Sequence, residues 1–100
     1  MIRGTTPRHI FNMPFDVSSI EEVRITYEQN GQKVLEKTEN DCTMEGTKIT
    51  VQLTQEETLK FEESRNVSLQ LKVLTSAGDV MVTKVRKISC GRILNDEVLG

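Results

Sequence analysis

Three pairs of adjacent glutamates are the first candidates for acid–base chemistry in this chain of 100 residues. A catalytic couple of carboxylates must converge on one substrate. Adjacent residues on a strand point to opposite faces, and on a helix they lie about 100° apart, so such pairs diverge in either structure. We therefore do not expect any of these pairs to act as an acid–base couple. The pairs are Glu21 with Glu22, Glu56 with Glu57, and Glu62 with Glu63.

One of these pairs lies in LTQEETLKF, residues 53–61, the only stretch whose pattern is neither strand nor turn. Thr54 stands three residues before Glu57, which is the spacing of a capping box in which each side chain bonds the other's backbone N–H. This pattern predicts one short helical turn near residues 55–59. Glu57 is then a capping residue, and Glu56 faces water.

Nucleophilic catalysis would have to use His9, the only histidine, or one of two cysteines. His9 alternates with Phe11 on an apolar strand pattern, which is typical of a packed, hydrogen-bonded histidine. Cys42 and Cys90 are 48 positions apart in the sequence, and a zinc site would need further ligands. We expect no catalytic residue, no metal and no cofactor. We also expect two buried, reduced thiols, although pairing across a sandwich remains the alternative.

Charge and hydropathy argue against two classes of partner. The net charge is −2 with well-mixed charges, so we expect no nucleic-acid partner. The densest basic stretch is Lys84, Arg86 and Lys87, which favours an edge strand kept soluble by charge over a phosphate site. No apolar run approaches the length of a membrane span, so we expect no membrane partner. With no signal-like segment, we expect the chain in the cytoplasm on synthesis.

The elements that must position these residues are strands. Valine, isoleucine and threonine supply 28 residues and alanine only one, and β-branched side chains fit a pleated sheet better than a helix. The composition and alternation predict a single all-β domain over 1–100, an immunoglobulin-like antiparallel β-sandwich of about seven strands. The main predicted strands are 9–15, 22–28, 32–38, 48–54, 67–73 and 80–90, the last with β-bulges.

The intervening segments read as turns and connections. Asn30 and Gly31 are the strongest hairpin signal, because both residues tolerate positive φ. Residues 40–46 read as a polar connection with Cys42 and Met44 pointing inward. Pro14 cannot donate to a ladder, so the first strand should lie at an edge or end there.

Apolar residues in the two terminal arms, MIRGTTP and GRILNDEVLG, have no clear place in the sandwich. Such arms often dock on their own domain or on a neighbour. We therefore expect the partner-binding residues to lie in the arms. They are Ile2, Arg3, Ile93, Leu94, Val98 and Leu99.

Several separated motifs resemble a family. The stretches RGTTPRHIFNMPFD, VRITYEQNGQKVLEK with DC shortly after, ITVQLTQEETLKF, LQLKVLTSAGD and the terminal DEVL look like those of short proteins encoded by phages and prophages of Gram-positive bacteria. The resemblance covers nearly the whole chain. It implies a gene neighbourhood of virion or tail-related genes, and no assigned catalytic residues. The basic stretch KVRKISC departs from the pattern, so the resemblance implies no shared surface there.

The resemblance and the arms together favour a non-enzymatic structural or interaction module that is virion- or tail-associated. Its partners would be other phage structural proteins or further copies of itself, and it would pass from the host cytoplasm into the virion. The alternative is a small phage-encoded inhibitor or modulator that binds a host protein. An enzyme is the third class, and no constellation of residues supports it.

Overall fold

The computed structural model describes the whole chain, residues 1–100, as two antiparallel sheets packed face to face. The smaller sheet has three strands in the order β1-β5-β4, and the larger has five, with β3-β2-β6 followed by β7 and β8 at one edge. The strands are β1 (Arg8–Asn12), β2 (Ile20–Gln29), β3 (Gln32–Thr38), β4 (Cys42–Glu45), β5 (Lys48–Gln52), β6 (Val67–Thr75), β7 (Val80–Val82) and β8 (Arg86–Ile88).

The strand order confirms the predicted fold class. In the smaller sheet, β1 pairs directly with β5, although β2, β3 and β4 lie between them in the sequence. In the larger sheet, β2 pairs with both its neighbour β3 and the distant β6. This Greek-key alternation between sheets is that of an immunoglobulin-like sandwich whose first strand is missing. A single parallel bridge between Ile2 and Gly91 stands in its place, at the far end of the last strand.

The alternation along β2 and β6 explains where the core lies. Val23, Ile25 and Tyr27 are fully buried on β2, and they pair with buried residues of β6. Fifteen buried apolar residues form one continuous cluster between the sheets. The turn after β2 is the predicted one, with Asn30 at φ 54° and Gly31 at φ 73°. β1 lies at a sheet edge and ends before Pro14, also as predicted.

The helical turn is α1, Gln55–Thr58, on the connection from β5 to β6. Glu57 N donates to Thr54 Oγ1 at 3.2 Å, and Thr54 N donates to the Glu57 carboxylate at 2.8 Å. The predicted capping box is thus confirmed, and Glu56 is exposed. Leu53 and Phe61, on either side of the turn, are buried and anchor it to the core.

Residues 40–46 are not a polar connection as expected. After a 3₁₀ turn at Glu39–Asp41 they form β4, which pairs with β5 through a turn at Gly46. Cys42 and Met44 do point inward and pack against the core. A strand forms here because β5 supplies the backbone hydrogen-bonding partner. That pairing is not visible in the sequence of the four residues themselves.

The last strand is also different from the prediction of one long strand over residues 80–90. It is divided into β7 and β8, which pair with the same strand, β6. Between the pairs Lys72–Val82 and Leu69–Arg86, β6 spans three positions and the last strand spans four. The last strand therefore contains one extra residue. The predicted bulge is therefore present. Thr83 lies there, and its hydroxyl accepts from Leu71 N at 3.1 Å.

Candidate functional site

His9 on β1 and Tyr27 on β2 form a polar contact between the two sheets. His9 Nδ1 and Tyr27 Oη lie 2.6 Å apart and share a hydrogen bond, and the Tyr27 ring packs edge-on against Phe61. Burial, and then the nearby Arg86 guanidinium, lowers the pKa of His9 to about 4. Burial raises the pKa of Tyr27 well above its usual value. Both rings are therefore neutral near pH 7, and His9 is the packed, hydrogen-bonded residue that its strand pattern predicted.

The cysteines are both free thiols, Cys90 buried and Cys42 half-buried, so they are not paired across the sandwich. Burial raises the pKa of the Cys42 thiol to about 11, and its Sγ donates to Thr38 O at 3.3 Å. His9 and Cys42 both lie opposite Val51, but on strands either side of it. Two strand spacings put their backbones about 10 Å apart. This arrangement does not form a Cys–His dyad.

Glu57 has a second bond that the sequence did not suggest. Its carboxylate pairs with the Lys37 ammonium, and both side chains are largely buried. Lys37 occupies an inward-facing position of β3, opposite Ile25, so the ion pair ties α1 to the larger sheet. Although burial opposes ionisation, the hydrogen bonds from Lys37 and Thr54 hold the pKa of Glu57 below its usual value. The ion pair therefore has a structural role, which is to hold α1 against β3.

The N-terminal arm docks partly on its own domain. Gly91 N donates to Met1 O at 2.7 Å and Arg3 N donates to Gly91 O at 3.3 Å, which adds a short parallel strand to the edge that continues from β8. Arg3 turns inward, and its Nη2 donates to Leu59 O at 3.1 Å beside α1. Ile2 remains half-exposed. Of the two N-terminal residues expected to bind a partner, Ile2 is thus the accessible one.

The C-terminal arm is held loosely. Gln55 of α1 contacts the backbone of Leu99 twice, donating to its oxygen at 2.7 Å and accepting from its nitrogen at 2.9 Å. Ile93 lies against Gly4. The other apolar side chains face solvent: Leu94 is 89% exposed and Leu99 68% exposed, with Val98 also exposed. The structure thus brings both arms together around α1.

The strand β7 is an exposed apolar edge that the sequence reading missed. Val80 and Val82 are 58% and 59% exposed, and Met81 and Val85 are also exposed. Thr75 N donates to Asp79 O and Thr83 N to Leu71 O. Because hydrogen-bonded positions alternate along an antiparallel strand, the backbone groups of Val80 and Val82 point away from β6. The signal available in the sequence was VMV, three apolar residues with no charge among them.

The basic stretch lies on the same edge. Lys84 and Lys87 are exposed, as predicted for a charged edge strand. Arg86 instead reaches across to the other sheet. Its Nη2 donates to Ile10 O at 3.1 Å, and its guanidinium lies 4.7 Å from the centre of the Phe11 ring. Arg86 thereby covers an edge carbonyl of β1, whereas no charged side chain lies within β7.

Comparisons with known proteins give no match for this chain. No family model matches the chain, and neither a curated protein nor a solved structure matches it. No helix combines the length and the apolar character needed to cross a membrane. No cluster of three or more His, Cys, Asp or Glu residues is arranged to hold a metal ion.

Proposed function

We propose that this protein is a non-enzymatic interaction module of a phage particle that works through protein–protein contacts. The main observation that supports this proposal is the distribution of exposed apolar side chains. Of the nine large ones, eight lie in only two places, the terminal arms and the β7–β8 edge. Scattered exposed apolar residues are ordinary, but contiguous groups of them mark interaction sites.

The state of the chemically capable residues supports a contact role over catalysis. His9 is bonded to Tyr27, the Cys42 thiol is bonded to a backbone carbonyl, and Glu57 is engaged by Lys37 and Thr54. Each of these groups is used to hold strands or α1 together. The phage setting rests on the sequence resemblance, and the arms are a common means by which particle subunits engage one another through strand addition.

Deletion of residues 92–100 tests the role of the C-terminal arm. Since this segment is held mainly by Gln55 and by the contact of Ile93 with Gly4, the truncated domain should stay folded. We expect it to lose incorporation into particles, measured by mass spectrometry of purified virions. Gln55→Ala is the matched control, because it releases the arm from α1 without removing its apolar side chains. Normal incorporation of the truncated protein would contradict the proposal.

A small modulator of a host protein is the alternative proposal, supported by the same exposed edge and arms. The two roles differ in copy number. Abundant copies in purified virions are expected of a particle component. A protein that is absent from virions but copurifies with a host protein from infected cells would favour the modulator.

A further inference from the structure

We propose that the β7 edge of one copy accepts the C-terminal arm of a second copy as an added antiparallel strand. This inference rests on the proposed contact function and names its partner. The donor is residues 94–100, and the acceptor is the edge from Val80 to Lys84. Four observations carry it: the unguarded edge, the matching residues, a groove beside β7, and the obstruction of the chain's own arm.

Within β7, the acceptor lacks the protection that the edges at β1 and β3 have. Natural edge strands are usually blunted by charge, proline or a covering group. β1 has Arg86 on its Ile10 carbonyl, and β3 carries Lys33, Glu36 and Lys37 along its length. β7 carries no charge, and the backbone groups of two of its three residues are open. The same edge already accepts one strand, since Met1 and Arg3 bond to Gly91 farther along it.

In one antiparallel register, two positions of the donor complement the acceptor. When Val98 lies opposite Val82, Asp96 lies opposite Lys84. The edge region from Val80 to Lys87 carries three basic side chains and no acidic one, whereas residues 94–100 carry two acidic side chains and no basic one. Opposite charges and β-branched pairs that face each other across strands are stabilising.

The same register places Leu99 beside a groove next to β7. It falls opposite Met81, whose side chain points to the inner side of the sheet because Met81 pairs with buried Val73. A groove of about 150 Å³ opens there, lined by Met13, Pro14, Met81 and Val82 among others. In strand addition, backbone bonds give affinity and such side-chain pockets give specificity.

The chain's own arm is turned away from this edge. If the C-terminal arm folded back onto β7 of its own chain in this register, the turn would be centred on Cys90. Cys90 is buried, and its carbonyl accepts a hydrogen bond from Ser64 N at 2.9 Å. The outward groups of Gly91 are already bonded to Met1 and Arg3. A second copy meets neither obstruction. Its arm must leave only the Gln55 contact, because most of its apolar side chains are exposed.

Sedimentation velocity of the full chain at increasing concentration tests the inference. We expect concentration-dependent association, closing as a dimer when donation is reciprocal and continuing to longer assemblies when it is not. Lys84→Asp should weaken association by about tenfold, and Asp96→Lys by a similar factor. The double variant, which restores the opposite pair, should recover most of the loss. Lys33→Asp, the same charge change on the β3 edge, should leave association unchanged.

Three results would overturn the inference: a monomer up to about 1 mM, single reversals that leave association unchanged, or a double variant no better than the worse single one. Val82→Lys gives a second reading, since a charge within β7 should abolish association while circular dichroism shows an unchanged fold. A chain that is monomeric yet abundant in virions would refute this inference and keep the proposed function. A chain that self-associates by this register yet is absent from virions would do the reverse.

Discussion

Val23 and Val82 show how differently one residue type is used in two regions of the same sheet. Val23 lies on the central strand β2 and is fully buried, while Val82 on β7 is 59% exposed. Both sit in strands bonded to β6. The difference lies in the side of the sheet: Val23 faces the smaller sheet, and Val82 faces outward opposite Lys72. Strand pairing alone therefore does not bury a side chain. Burial requires a second sheet to cover the face on which the side chain lies.

Removing the same two methyl groups from these two valines should separate the regions most clearly. Val23→Ala leaves a cavity in a packed interior, so we expect a loss of about 2–4 kcal/mol in the free energy of unfolding. Val82→Ala should change it by less than about 0.5 kcal/mol, as at other exposed sites. Urea denaturation followed by circular dichroism measures both. Equal losses would mean that the β7 edge is covered in the isolated protein.

The Lys37–Glu57 ion pair tests the interior a second way. Glu57→Gln removes the charge that faces a largely buried ammonium and weakens the cap of α1, so we expect a loss of about 2 kcal/mol. Glu56→Gln, one residue away and exposed, should have almost no effect. The same denaturation experiment applies. Similar values for the two variants would show that the ion pair adds nothing to stability.

A pH titration of stability sharpens the contrast through His9. Burial and Arg86 lower its pKa from 6.5 to about 4 in the folded protein. Below pH 6.5 the unfolded chain therefore binds a proton that the folded one does not, so stability should fall as the pH drops from 6.5 to 4. Allowing for the solvent that still reaches this half-buried ring, we expect a fall of about 1–2 kcal/mol.

His9→Gln is the control for that titration, because glutamine keeps a polar partner for Tyr27 and does not titrate. Its stability should be flatter between pH 6.5 and 4.5. Glu57 affects the pH dependence only below about pH 4.5: its pKa is lowered in the folded protein, so its stabilising effect is lost as the pH falls and the carboxylate becomes protonated. A wild-type profile as flat as that of the variant would refute a role for His9.

Much of the fold could be predicted because its signals are local. The alternation of β2 and β6, the Asn30–Gly31 turn and the Thr54–Glu57 capping box each depend on residues a few positions apart. The register slip in the last strand was also visible as a break in alternation. These features follow from side-chain direction and backbone preference, which short segments already express.

The candidate contact surface could be predicted only in part. The arms were identified from apolar residues without a place in the alternation, and Leu94 and Leu99 are indeed exposed. The inward turn of Arg3 depends on the position of Leu59, which lies 56 residues away in the sequence. The exposure of β7 was missed because an apolar strand reads the same way whether or not a second sheet covers it.

The sequence by itself determined that this chain forms strands, where its main turns fall and which residues alternate inward, because those properties arise from neighbouring residues. Only the tertiary structure decided that β4 exists, that Lys37 meets Glu57, and that Val80 and Val82 are left at an open edge. The reason is physical: burial and strand pairing depend on which distant segment arrives alongside. In this protein, the second sheet covers Val23 and leaves Val82 exposed at an edge.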